Sequence, residues 1–244
     1  MRSIFIKEIA SFFSSIVGYV AILVFLVACG LFLWLLEDTS ILNYGYASLD
    51  RFFDLAPMLL LLLIPAITMR SLSDEFRSGT IEWLSTKPLR DTEIILGKYF
   101  AALVLILFAL VPTLIYVYSI GNLAQARTTL DSGAIIGSYI GLLFLAGGFA
   151  AIGIFCSSLT SNQIVGLLTA LFACFLFYYG FEALSKISSL PGTVSYVLSL
   201  IGMSAHYTSI SRGVVDTRDV IYFISVAVLF ISLTRISLKM RTQA

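Results

Sequence analysis

What this sequence lacks most is charge. Asp, Glu, Lys and Arg make up 12% of its 244 residues and 59% are hydrophobic. Soluble domains typically carry about a quarter charged residues, so a free-standing soluble domain is excluded, and a mean hydropathy of +0.99 fits a chain that crosses a bilayer repeatedly. Histidine occurs once, which argues against a dedicated metal centre. The three cysteines, Cys29, Cys156 and Cys174, all fall inside apolar runs. They read as small packing residues, with no disulfide framework and no thiolate metal site. A net charge of +1 offers nucleic acid no basic surface. There is no G-x-x-x-x-G-K-[ST] phosphate loop, so hydrolysis of ATP by that route is excluded. Glu37, Asp38, Asp54 and Glu182 fall at span ends, and the mid-span charges that mark an ion-coupled carrier are missing.

What is present is apolar length. Six segments, roughly Val17–Leu36, Phe53–Met69, Ile95–Ile120, Ala134–Cys156, Ile164–Phe181 and Val220–Thr234, are near the ~20 residues that cross a bilayer. Pro57 and Pro65 predict a kink in the second, and Pro112 lies within the third. Leu26-Val27-Ala28-Cys29 reads as a lipobox, but the apolar run continues through Leu31–Leu36 where a polar tether belongs, so an uncleaved span is expected. Residues 2–15 are too polar to span; their spacing sets Phe5, Ile9 and Phe12 against Ser3, Lys7 and Ser11, the pattern of an interfacial helix. Between the fifth and sixth segments, residues 182–219 hold an apolar piece, 194–203, too short to cross and expected to be re-entrant. Ser204 and His206 neighbour each other there, without any arrangement that would make them catalytic. The expected fold is therefore an all-α integral membrane protein, one domain over 1–244, with six transmembrane helices, an N-terminal interfacial helix and an outer re-entrant element.

Ten of the 29 charged residues lie between Arg70 and Lys98. As a helix ended by Pro88, this stretch turns Leu72, Phe76, Thr80, Trp83 and Leu84 to one face and Asp74, Ser78, Glu82 and Ser85 to the other. A second helix is expected from Asp91. With both termini on the inner side, Lys and Arg number ten in the inner connections and five in the outer ones, which places 70–98 and both ends in the cytoplasm. The fourth segment is rich in small residues; Gly137-x-x-x-Gly141 and Gly148 predict close helix contact, within one protomer or across a dimer.

Three pieces carry a resemblance. Asp74-Glu75-Phe76-Arg77-Ser78-Gly79-Thr80-Ile81-Glu82-Trp83-Leu84 with Lys87-Pro88 and Glu93–Tyr99 is similar to the link between the second and third spans of ABC-2-type permeases. Gly153–Gln163 resembles that family's turn between spans four and five, and Ser211–Val220 its lead into the sixth. The run His206–Gly213 and the short chain resemble the gliding-motility-associated permease subunits within it. The resemblance implies a transmembrane subunit in the bacterial cytoplasmic membrane, converting the motion of separate ATPase subunits, which would hold ATP and magnesium, into transport or envelope signalling. It implies no cofactor in this chain, a second permease protomer, and other gliding-motility envelope proteins as partners. A coupling helix over Leu72–Ser85, within the 70–94 region, would turn Asp74, Glu75, Arg77, Gly79, Thr80, Glu82 and Trp83 to the ATPase, with Ser158, Thr160, Ser161 and Asn162 as a second contact. Spacing alone reads Glu82 and its neighbours as a solvated face. Competing readings are a membrane scaffold of a motility or secretion machine and an ion-coupled carrier.

Overall fold

No water meets the backbone inside a bilayer, so every span must close its own hydrogen bonds. The computed structural model describes residues 1–36, 41, 48–80, 90–123, 131–187 and 191–243, and among them there is helix and no strand. Six helical stretches are long and apolar enough to cross: Ile16–Trp34, Asp50–Arg77, Asp91–Leu123, Ser132–Leu159, Gln163–Ser185 and Thr217–Arg241.

The N-terminal helix α1 (Arg2–Phe13) is separate from the first span, α2 (Ile16–Trp34). Ser15 makes the break: its backbone is extended and its hydroxyl accepts from Gly18 N at 3.3 Å, an N-cap in the middle of an otherwise continuous sequence. The buried residue of α1 is Ile4, which meets Gly97, so this helix leans on the third span.

The second span is α3 (Asp50–Thr68), helical through Pro57 and Pro65, followed by a tight turn into the short α4 (Ser73–Arg77). The third begins as α5 (Asp91–Leu110), with Arg90 rather than Asp91 at the cap and the Glu93 carboxylate accepting Arg90 N–H at 3.3 Å. At Pro112 the helix tightens to a 3₁₀ turn over Val111–Thr113 before α6 (Leu114–Leu123). The Thr113 hydroxyl donates to Leu110 O at 2.7 Å there, engaging a backbone acceptor next to the proline.

The fourth span, α7 (Ser132–Leu159), is the axis of the bundle. Together with α3 it is mostly buried, and α3, α8 (Gln163–Phe175) and α12 (Thr217–Gln243) pack along it. Small residues make that possible. A Cβ on Gly153 would collide with the Thr68 hydroxyl, so α3 and α7 are in direct contact beside the charged end. The fifth span passes from α8 through a π turn (Leu176–Gly180) into α9 (Phe181–Ser185). The connection expected to hold one re-entrant piece holds two helices, α10 (Gly192–Ile201) and α11 (Met203–Ile210), split by extended Gly202.

The sixth span corrects the expectation of a short helix ending near Thr234: α12 runs on to Gln243. The last carbonyls of α7 supply a reason. Ser237 Oγ donates to Ser158 O at 3.3 Å and Arg241 donates to Leu159 O, so α12 continues beyond its apolar part to meet acceptors that α7 leaves open.

Candidate functional site

One face of the bundle gathers α1, α4, the start of α5, the α7–α8 turn and the end of α12. Its base is apolar: Leu72, Ile95, Ile154 and Leu238 are buried together with Phe76 packed on them, one residue from each of the four neighbouring elements. The Arg241 guanidinium stands 4.7 Å over the Phe76 ring.

Hydrogen bonds fix α4 on that base. Ser157 Oγ accepts from Leu72 N and Ser73 N, each at 3.0 Å, and donates to Met69 O at 3.0 Å. A single buried hydroxyl thereby serves the turn that leaves α3, whose amides would otherwise be unpaired. Gln163 donates to Asp74, and Asn162 caps α8 by accepting from Ile164 N at 3.0 Å. The two connections between spans two and three and between spans four and five are thus one physical unit.

Beside it lies a buried charge cluster. Lys98 is 2% exposed, and its ammonium donates to Glu8 Oε1 at 2.6 Å and Ser71 O at 2.5 Å, with Glu75 Oε1 at 3.0 Å. Lys7 reaches the same Glu75 oxygen at 3.2 Å. Arg70 Nη1 donates to Ser15 Oγ at 2.9 Å, tying the end of α3 to the break between α1 and α2. Glu75 Oε2, Ser71 Oγ and Arg70 Nε are buried without a hydrogen-bond partner among the described residues, and each such atom costs about 1–3 kcal/mol.

The expected coupling residues divide into three groups. Arg77, Gly79 and Thr80 are exposed, and Asp74 is half-buried against Gln163. Glu75 differs from expectation: it points inward, because the Lys98 ammonium lies beneath it and a lysine buried in an apolar span needs a counter-charge. Glu82 and Trp83 lie outside the described residues. The expected helix over Leu72–Ser85 is also broken. Gly79 has φ +68 with no atom within 4 Å of an added Cβ, so the backbone turns there for conformational reasons and not for close contact. In the second contact Ser161 and Asn162 are exposed and Thr160 half-buried. Ser158 is buried, giving its hydroxyl to Phe155 O at 2.6 Å and receiving Ser237 at its carbonyl. Sequence reading missed Lys98 as a site residue, whereas Ser157 falls in the stretch it singled out. The signal for Lys98 was there: it stands inside an apolar run.

On the opposite face the small residues of α7 pack within the protomer. A Cβ on Gly137 would meet Gly213 Cα at 2.8 Å, one on Gly141 would meet Ile210, and one on Gly148 would meet Met203, the last two at 3.0 Å. They seat α11 and the turn after it. His206, expected as a plain loop residue, is built in: Nδ1 lies 2.7 Å from Asp219 Oδ1, Nε2 lies 3.0 Å from Leu200 O, and the ring stacks on Tyr222 at 3.9 Å. Both partners only accept, so His206 fills both bonds when each ring nitrogen carries a proton. Burial pushes the Tyr207 phenol well above its ordinary range, and its hydroxyl donates to Phe53 O at 2.7 Å.

Among the described residues no group of His, Cys, Asp and Glu is arranged to hold a metal ion. Comparison with known families gives one assignment: residues 36–234 match the family described as ABC-2 family transporter protein. No curated protein matches the chain.

Proposed function

The chain belongs to the ABC-2 family of transporter proteins, and from that premise we propose that the platform built on α4 and the α7–α8 turn is the docking face for a separate ATPase subunit. The chain is a multi-pass membrane protein and a permease subunit of an ABC transporter. The observation that carries the docking proposal is the joining of two loops, far apart in sequence, into one rigid polar surface by Ser157 and the Asp74–Gln163 bond. From it Arg77, Thr80 and Ser161 project outward. A solvated loop needs no such scaffolding.

In this reading the platform faces the cytoplasm, in keeping with the excess of Lys and Arg on that side. ATP binding, with magnesium, takes place in the partner, and closure of two ATPases pulls on α4. The pull passes to α3 through the Met69–Leu72 turn, to α5 through Lys98 and to α7 through Ser157, a chain of direct contacts and not a diffuse effect. A second permease protomer completes the assembly; pairing of like chains about a two-fold is the default. Within the family, the resemblance of His206–Gly213 to the gliding-motility permease subunit GldF supports a reading in which the output goes to motility machinery of the envelope.

The test is a pull-down of the tagged chain from detergent-solubilised membranes. An ATP-binding subunit is expected with the wild type and lost, or left with turnover that no longer responds to the permease, with Arg77→Glu. Arg77 is exposed, so that substitution leaves the fold intact. Equal capture and equal turnover with the variant would refute the docking role.

A further inference from the structure

Beneath α1, where the charged face meets the apolar spans, is a cavity of about 140 Å3. One water needs roughly 10–15 Å3 by this measure, so there is room for about ten waters or one small polar headgroup. Its wall holds the charged Lys7, Glu8, Arg70, Asp74, Glu75 and Lys98 together with apolar residues that include Val17 and Leu105. The wall carries three cations and three anions and is balanced. A singly anionic guest would leave one uncompensated charge in a confined space, whereas a zwitterion leaves none.

The wall also holds unmet groups of both kinds. Among the described residues Arg70 Nε is a donor without a partner, and Glu75 Oε2 is an acceptor without one on a side chain only 8% exposed. A phosphate oxygen answers the first and a primary ammonium the second. Both atoms are closed to bulk water, so seating a guest takes a rotamer turn of Arg70 or Glu75 toward the cavity that both residues line. Val17 and Gly18, in the first turn of α2, line the same cavity, so it adjoins the start of a span.

We propose that this cavity is a seat for an ethanolamine phospholipid, its phosphate held by Arg70 and its ammonium by Glu75. The quaternary nitrogen of a choline lipid has no proton to give Glu75. A glycerol lipid offers hydroxyls but brings a net negative charge. The inference rests on the cavity alone and stands whether or not an ATPase docks on the neighbouring platform.

The full-length chain, delipidated in detergent, is titrated with dioctanoyl phosphatidylethanolamine, phosphatidylcholine and phosphatidylglycerol, and retained lipid is read by native mass spectrometry. Saturable binding of the ethanolamine lipid is expected, preferred over the other two by about tenfold, the return of one charge-assisted hydrogen bond. Glu75→Gln, and separately Arg70→Gln at a half-exposed position, should each abolish the preference. Equal retention of the three lipids, a preference untouched by both substitutions, or equally tight binding of soluble glycerophosphoethanolamine would overturn the proposal.

Discussion

Lys98 shows how much one side chain can hold. Its ammonium is the common partner of Glu8 from α1, Glu75 from α4 and the Ser71 carbonyl at the end of α3. Lys98→Met fits the apolar surroundings but leaves Glu8 without its ammonium and Glu75 with Lys7 alone. Breaking a buried pair by removing one partner costs about 3–5 kcal/mol. The variant should lower the thermal midpoint of the detergent-solubilised protein, and Lys98→Arg should restore part of the loss. An unchanged midpoint in Lys98→Met would show that the cluster contributes nothing to the fold. The charge itself was visible in the sequence as a lysine inside an apolar run. Its partner Glu8 was not, since it lies 90 residues away and no local pattern links the two. The inward turn of Glu75 was hidden for the same reason.

At the level of elements, periodicity located the spans well because lipid exposure imposes a single requirement, apolar length. It handled the ends poorly. The helix drawn over Leu72–Ser85 follows a sound alternation of faces, and Leu72 and Phe76 do face the base of the platform. Periodicity carries no information on φ, however, and the left-handed Gly79 interrupts the helix. The extension of α12 past Thr234 escaped notice because the α7 carbonyls that hold it come from another helix. Gly79→Ala tests the break. The position is open, so a methyl group clashes with nothing, and the cost is the left-handed backbone, about 1 kcal/mol. Membrane insertion should be unaffected, while the population holding the left-handed turn at Gly79 falls about fivefold. Stimulation of the partner's ATP hydrolysis should drop in proportion; full stimulation would mean that the turn at Gly79 is not needed for docking.

For the whole molecule, a central α7 carries close packing toward one end and polar tethering at the other. Toward the face bearing α11 its glycines admit Ile210, Met203 and the Gly213 turn. Toward the charged face it presents Ser157 and the acceptors for α12. A load applied at α4 therefore reaches the most buried helix of the bundle directly. The expectation of helix contact at Gly137 and Gly141 was legible, but whether it lay within one chain or between two was not, because the motif reports closeness without naming the neighbour.

The central claim is that the α4 platform faces the cytoplasm and is covered by an ATPase, and one labelling measurement addresses both halves. Cys29, Cys156 and Cys174 are buried and free, so a cysteine introduced at exposed Arg77 is the accessible thiol among the described residues. Arg77→Cys is treated with a membrane-impermeant maleimide in intact and in opened cells, with and without the ATPase subunit. Labelling is expected in opened cells alone and suppressed when the ATPase is present. Labelling in intact cells, or labelling indifferent to the ATPase, would contradict the account.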